Sequence, residues 1–318
     1  MQSLACLLAS EQQMASQALR DAAVELNVPL RFSRAGTVGE QLAELPSPPL
    51  TVHGDAGITI AVAEHPLDPS RIGRARGRRA VIGLGSGASD LMVPAVKLEL
   101  TRANDVLGYE TYVRMAGPFR ADQVLHCTDN REEMQRARHA FELAAQGRSV
   151  VVVSSGDPGV FAMAAAVLEA RHESRDPAWH SVDLEILPGV SASLATAAQA
   201  GAPLGHDFCV LSLSDNLKPW EIIEKRLALT AQADLAMAFY NPISRSRPWQ
   251  LGRALEIVAQ YRIAETPVVL GRDIGRPGQT LRVTTLGQLT ADQVDMRTMV
   301  LIGSSTTRVF PRAQGLSW

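Results

Sequence analysis

The run Ser149-Val150-Val151-Val152-Val153-Ser154-Ser155-Gly156-Asp157-Pro158-Gly159-Val160 decides how this chain is read. Consecutive valines suit a strand covered on both faces, as in parallel sheets packed under helices. A glycine, an aspartate and a proline follow at once, and Pro158–Ala170 is expected to be a helix whose first turn accepts proline. In open α/β sheets, ligands bind outside the carboxyl ends of such strands. Gly156 lets a ligand lie against the backbone, and Asp157 offers acceptors to an ammonium or a hydroxyl. Asp157 ahead of Pro158 fits a plain helix N-cap equally well.

The same strand–turn–helix unit recurs on both sides. Upstream, a strand over Ala80–Leu84 is expected to run into Gly83-Leu84-Gly85-Ser86-Gly87, with a helix over Leu91–Ala103. A strand at Asp105–Gly108, a helix beginning near Glu110 and a long helix over Glu132–Gln146 follow. Pro177 to Asp183 reads as a junction. Downstream, a strand over Leu184–Leu187 is expected to lead into Pro188-Gly189-Val190-Ser191-Ala192 and a small-residue helix to Ala200. Strands at Phe208–Leu213, Leu235–Phe239 and Val268–Leu270 then alternate with helices at Trp220–Leu229 and Trp249–Tyr261, and Leu281–Thr284 and Met299–Ile302 are expected to close the sheet. Such alternation predicts α/β layers.

The first 76 residues read as a separate small α/β extension, ahead of one lobe over 77–182 and a second over 183–318. The extension is expected to hold strands at Leu4–Ala9, Pro29–Phe32 and Ile58–Ala63 and a helix from Ser10 to Glu25, with a loop at Pro46–Pro49. Arg71–Arg79, with its five arginines and two glycines, is expected to be a solvated linker.

Composition excludes several classes. Of 318 residues, 46% are hydrophobic and 20% charged, and the net charge of -2 leaves no basic surplus for sequence-wide nucleic-acid binding. Cys6, Cys127 and Cys209 form no CxxC pair or Cys/His cluster, so no metal site is expected and a reducing cytoplasm suits them. No apolar run approaches the ~20 residues that span a bilayer, and the start of the chain has no basic lead of a signal peptide.

The first glycine turn, Gly83 to Gly87, is a weak sign alone. A nicotinamide dinucleotide fingerprint needs a third glycine, where this chain has Ser89. Ser191 fits a helix cap, and Asn241 before Pro242 is an ordinary turn former that also presents a donor and an acceptor.

Taken in order, these turns resemble the tetrapyrrole methylase family. The likeness lies in Gly83-Leu84-Gly85-Ser86-Gly87, Gly108-Tyr109-Glu110-Thr111-Tyr112, Ser154 to Val160, Pro188-Gly189-Val190-Ser191-Ala192 and Phe239-Tyr240-Asn241-Pro242. It extends from about Ala80 to Arg312. Gly201 to Phe208, Leu211 to Asp215 with Pro219-Trp220-Glu221, and Met296 to Arg308 resemble the branch that methylates precorrin-3B at C-17 with ring contraction.

The resemblance implies a two-lobed α/β fold with a cofactor cleft between the lobes, a homodimer, and S-adenosylmethionine as cofactor. It implies that Ser86, Ser155, Gly156, Asp157, Val160, Ser191, Ala192, Tyr240, Asn241 and Ile274 line the cofactor. Glu110 falls where some relatives carry an acidic residue implicated in proton abstraction. His206, Asp207 and Asp215 are further acid/base candidates, although a histidine before a strand also suits a structural hydrogen bond. The tetrapyrrole substrate carries many carboxylates, so Arg131, Lys218, Arg245 and Arg247 are its expected cationic partners.

One departure stands out. The family usually reads Gly-x-Gly-Pro-Gly-Asp at the first turn, and this chain has Ser86 for the proline and Ala88 for the aspartate. The extension resembles a truncated copy of a cobalamin-pathway domain that accompanies some of these methylases, and a stabilising segment without activity fits it as well. The alternatives are a sister methylase with another target carbon, a nicotinamide oxidoreductase and a non-catalytic tetrapyrrole-binding subunit.

Overall fold

A computed structural model of the chain describes residues 4–14, 16–55, 57–129, 132–312 and 315–317. It divides into two compact units: Met1–Ile82 with Ala95–Ser154 and Ala162–Leu187, and Gly83–Pro94 with Ser155–Phe161 and Pro188–Trp318.

The first unit begins with β1 (Leu7–Ser10), α1 (Gln17–Glu25), β2 (Leu30–Ser33), α2 (Val38–Ala43), β3 (Thr51–Asp55), β4 (Ile58–Val62) and β5 (Arg74–Ala75). β1 pairs parallel to β2 and β2 antiparallel to β5, while β3 and β4 form a hairpin. The helix expected from Ser10 starts later. Ser10 caps only a 3-10 turn at Glu11–Gln13, and Ser16 caps α1 by accepting from the Leu19 N–H. α2, absent from the sequence reading, carries a capping box made by Thr37 and Glu40.

The basic run is not a solvated linker. Arg74 donates to Glu11 at 2.5 Å, Arg78 pairs with both Glu99 and Glu185, and Arg79 is fully buried with its guanidinium 4.0 Å from the Phe141 ring centroid. Burial, with the charge of Arg171 adding to it, lowers Arg79 to about 9. The charge count hides this because arginine buries its stem, and the partners of Arg78 lie 21 and 107 residues away in sequence.

The unit continues with β6 (Arg78–Gly83), α3 (Pro94–Arg102), β7 (Asp105–Tyr109), α4 (Glu110–Ala116), β8 (Val124–Thr128), α5 (Glu133–Ala145), β9 (Ser149–Ser154), α6 (Met163–Glu173), α7 (Pro177–Ser181) and β10 (Asp183–Leu187). The sheet order is β10-β6-β9-β7-β8, with β10–β6, β7–β9 and β7–β8 parallel. β10 therefore joins the first sheet, although the sequence groups it with the later strands. The valines of β9 are buried on both faces as expected. Val81, Leu107, Phe141, Val152 and Val167 share their core, where Phe141 stacks on Trp179.

The helix expected from Pro158 begins only at Met163. Ala162 stands at the N-cap of that helix, so Asp157 does not cap it; the Asp157 carboxylate instead accepts from Gly159 and Gly189, and residues 155–161 form a loop of the second unit.

The second unit holds α8 (Ala192–Ala200), β11 (Phe208–Ser212), α9 (Trp220–Gln232), β12 (Ala236–Tyr240), α10 (Gln250–Val258), β13 (Pro267–Arg272), β14 (Thr280–Thr285), β15 (Thr298–Ile302) and a terminal hairpin of β16 (Phe310–Arg312) and β17 (Gly315–Ser317). Its sheet order is β11-β12-β15-β13-β14. β11 and β12 are parallel, and the other pairings are antiparallel. β15 thus inserts at the centre rather than closing the edge, which explains why all five of its residues are buried. Leu227, Met237, Phe239, Leu251, Val268 and Val300 belong to the core between this sheet and its helices.

Candidate active site

Three glycine turns of the second unit meet backbone to backbone. The Gly85 N–H donates to the Gly156 carbonyl at 3.2 Å, and the Gly156 N–H donates back at 2.8 Å. A Cβ on Gly83 would stand 2.4 Å from the Gly156 oxygen, and one on Gly189 would stand 2.2 Å from that oxygen and 2.7 Å from the Gly83 oxygen. No side chain fits at either position without moving backbone. Gly156 itself has φ of +65°, and a Cβ there would rest in ordinary contact with the start of α8, 3.7 Å from Ser191 Cα.

Asp157 ties two of these turns together. Its Oδ1 accepts from the Gly159 N–H at 2.8 Å and its Oδ2 from the Gly189 N–H at 3.1 Å. Val160 closes the same turn by donating its N–H to the Asp157 carbonyl at 3.2 Å. Ser191 caps α8 through Leu194 and touches the Ser193 hydroxyl at 3.0 Å. Ala192 is the first residue of that helix. The Tyr240 hydroxyl accepts from the Ser193 N–H at 3.1 Å, which fixes the end of β12 against the start of α8. Asn241 follows with φ of +50°, and its Nδ2 donates to the Ser212 Oγ at 3.0 Å at the end of β11. Ile274 is buried in the turn after β13.

Sequence reasoning missed Arg276 in this cluster. Its Nε donates to the Ser86 carbonyl at 3.1 Å and its Nη2 to the Ser155 hydroxyl at 3.3 Å. A Cβ on Gly87 would strike the Arg276 side chain at 2.7 Å, so the first turn accommodates the arginine arm. Arg276 thereby joins the turns at 83–87, 155–160 and 273–279. The run Gly275-Arg276-Pro277-Gly278 is legible as a turn, but nothing in it announces partners at Ser86 and Ser155. If this cluster holds the S-adenosyl cofactor that the resemblance implies, Arg276→Ala is expected to weaken S-adenosylhomocysteine binding about tenfold, through the loss of two charge-assisted hydrogen bonds. Isothermal calorimetry checks this, and an unchanged affinity would remove Arg276 from the cluster.

The other site expectations scatter. His206 and Asp207 are exposed before β11, at the strand end opposite Ser212 and Asn241, so the structure does not bring them to the turns. Asp215 accepts from Gln250 at 3.5 Å in the loop after β11. Lys218 is in the same loop, its Nζ donating to the Ser214 carbonyl at 3.2 Å. Arg245 is exposed in the turn after Pro242, and Arg247 is half-buried there with an Nη1 that has no hydrogen-bond partner. Glu110 lies in the first unit at the start of α4, beside an open hollow it shares with Thr111, Arg114 and Met115, and it accepts from Arg114 at 2.5 Å. Arg131 lies outside the described residues. Among the described residues no group of three or more His, Cys, Asp or Glu is placed to hold a metal ion. No described helix is long and apolar enough to cross a membrane.

Residues 80–290 match the family Tetrapyrrole (Corrin/Porphyrin) Methylases. The chain belongs to the tetrapyrrole methylase family and is a methyltransferase of mixed α/β fold. A Precorrin-3B C(17)-methyltransferase from Sinorhizobium sp is 50% identical over 233 residues, 73% of this chain and 91% of that protein. The crystal structure of the methyltransferase CobJ is 48% identical with a TM-score of 0.71, covering 76% of this chain and 99% of that one. A uroporphyrin-III C-methyl transferase from Thermus thermophilus complexed with S-adenyl homocysteine shares the fold at 20% identity and a TM-score of 0.54, covering 71% of this chain and 97% of that one.

Proposed function

We propose that this methyltransferase moves a methyl group from S-adenosylmethionine to C-17 of precorrin-3B and contracts the macrocycle, yielding precorrin-4 in corrin-ring construction. The observation that carries the reading is the backbone junction of Gly83, Gly156 and Gly189, in a chain half identical to a protein of that named activity. Two features of the cluster fit a bound sulfonium nucleoside. Gly156 holds a left-handed backbone that lays its turn against Ser191 and Ala192, and the buried Ser86 Oγ has no hydrogen-bond partner, an unfavourable state for a hydroxyl outside a ligand site.

When bound, the cofactor supplies the methyl group on a positively charged sulfur. Ser86, Ser155, Gly156, Asp157, Val160, Ser191, Ala192, Tyr240, Asn241 and Ile274 are proposed to hold it. Asp157 and Arg276 keep the turns in register, and fixed geometry of this kind contributes to lowering a transfer barrier. Glu110 is the proposed acceptor of the ring-contraction proton, oriented by Arg114. His206 and Asp207 rank behind it because they stand at the far end of β11. Lys218, Arg245, Arg247 and Arg131 are the proposed partners of the substrate carboxylates. We place the enzyme in the cytoplasm as a homodimer, with residues 1–76 as a stabilising extension tied down by Arg74 and Arg76, which donate to the Ala145 and Ser181 carbonyls.

Incubation of the purified protein with precorrin-3B and methyl-labelled S-adenosylmethionine is expected to place the label at C-17, read by NMR. Label at another carbon would reassign the chain to a sister methylase. Binding of both ligands without turnover would make it a tetrapyrrole-binding subunit.

A further inference from the structure

A small cavity of about 40 Å³ in the second unit is walled by Phe161, Leu211, Ser212 and Ile223, together with the cations Lys218 and Arg226. Its volume is on the scale of one small polar group, since a water molecule occupies about 30 Å³ of liquid. Among the described residues, neither cation has a carboxylate within ion-pair distance. Lys218 has only the Ser214 carbonyl as a hydrogen-bond partner, and Asp215 acts on it from a distance. Burial pushes the Lys218 ammonium below its ordinary range, and the charge of Arg226 pushes it further the same way. Lys218 is half-buried and Arg226 exposed, so water screens part of their repulsion, and an anion placed between the two like charges lowers what remains.

The apolar wall is unusual as well. Phe161 has φ of +52°, its ring stays half exposed, and it leans on Tyr240 with centroids 5.4 Å apart. A bulky residue in the left-handed region costs about 1–3 kcal/mol and is retained mainly at ligand clamps and active sites.

We propose that this cavity takes the carboxylate at the tip of an alkyl side arm of the tetrapyrrole, with Lys218 and Arg226 as its two cationic partners and Phe161 flanking the arm. Arg226 is thus a specificity-determining residue that no motif pointed to. The proposal rests on the substrate class given under Proposed function.

The test compares wild type, Lys218→Met, Arg226→Leu, Lys218→Arg and the neighbouring surface control Lys225→Gln. KM for precorrin-3B is expected to rise about tenfold in Lys218→Met and in Arg226→Leu, with a much smaller change in kcat. Lys218→Arg is expected to restore most of the loss, and Lys225→Gln to leave KM unchanged. Binding of uroporphyrin III, a stable octacarboxylate, is expected to weaken by a similar factor in the same two variants, by absorbance titration. S-adenosylhomocysteine affinity is expected to stay constant throughout, which shows that the variants are folded. Unchanged KM and uroporphyrin affinity in both variants would overturn the subsite and leave the methylase reading standing. An equal loss in Lys225→Gln would reduce the effect to the general field and overturn it too. A wild type that binds S-adenosylhomocysteine but not precorrin-3B would remove the premise.

Discussion

Gly189→Ala is expected to abolish S-adenosylhomocysteine binding, with at least a hundredfold loss of affinity by calorimetry. The added methyl would lie 2.2 Å from the Gly156 oxygen and 2.7 Å from the Gly83 oxygen, and both obstacles are backbone. A flexible side chain could swing away, but a carbonyl moves only with its turn. Overpacking of a tight site typically costs about 1–3 kcal/mol, and here the displaced atoms belong to the turns proposed to hold the ligand. The shift would also pull the Gly189 N–H from Asp157. Gly156→Ala provides the contrast. Its Cβ meets nothing closer than 3.7 Å, so its penalty is the left-handed backbone, about 1–2 kcal/mol. A Gly189→Ala protein that binds within threefold of wild type would show that the three-turn junction does not form the ligand site.

The second large effect concerns stability. Asp105 is 1% exposed at the start of β7, and its carboxylate accepts from Arg148 Nε at 2.5 Å and Nη2 at 3.0 Å and meets His126 Nε2 at 2.9 Å. Asp105→Ala is expected to cost about 3 kcal/mol by urea unfolding at pH 7. Breaking a buried pair typically costs about 3–5 kcal/mol, and both partners here keep some contact with water. The pH dependence follows from the same contacts. Burial raises the Asp105 carboxyl, but the hydrogen bonds from Arg148 and His126 outweigh it, and the group sits below its ordinary value of 3.8. A carboxyl lowered by folding stabilises the protein above the unfolded value, and that contribution fades as pH falls through the folded one. The stability gap between wild type and Asp105→Ala is therefore expected to hold from pH 7 to about pH 5 and to shrink below about pH 4. A gap that grew on acidification would contradict this account.

The layered α/β architecture was legible in the sequence because its signals are local. The valines of β9 need only their own neighbours to mark a buried strand, and a glycine after a strand marks a turn wherever it occurs. The order of turns from Gly83 through Ser154–Val160 and Pro188–Ala192 to Phe239–Pro242 was enough to define the family. The arginine run at 71–79 was misread for the opposite reason. Its character depends on Glu11, Glu99, Phe141 and Glu185, which local charge counting does not see. The start of α6 differs from the sequence reading because Pro158 suits a first helical turn, while the Asp157 carboxylate also reaches the Gly189 N–H, 32 residues away, and the turn it holds runs on to Phe161 before the helix begins at Met163.

Within the site, sequence spacing identified the glycines and Asp157 but not what they do to one another. Arg276 lies 121 residues from Ser155 and 190 from Ser86, and Arg226 is an unremarkable helix residue until the chain folds. By itself the sequence determined the element types, the turns and the family, all of which depend on nearest-neighbour sterics and hydrophobic period. The tertiary structure alone decided which turns touch and which arginines are buried or paired, because those outcomes depend on contacts between residues far apart in the chain.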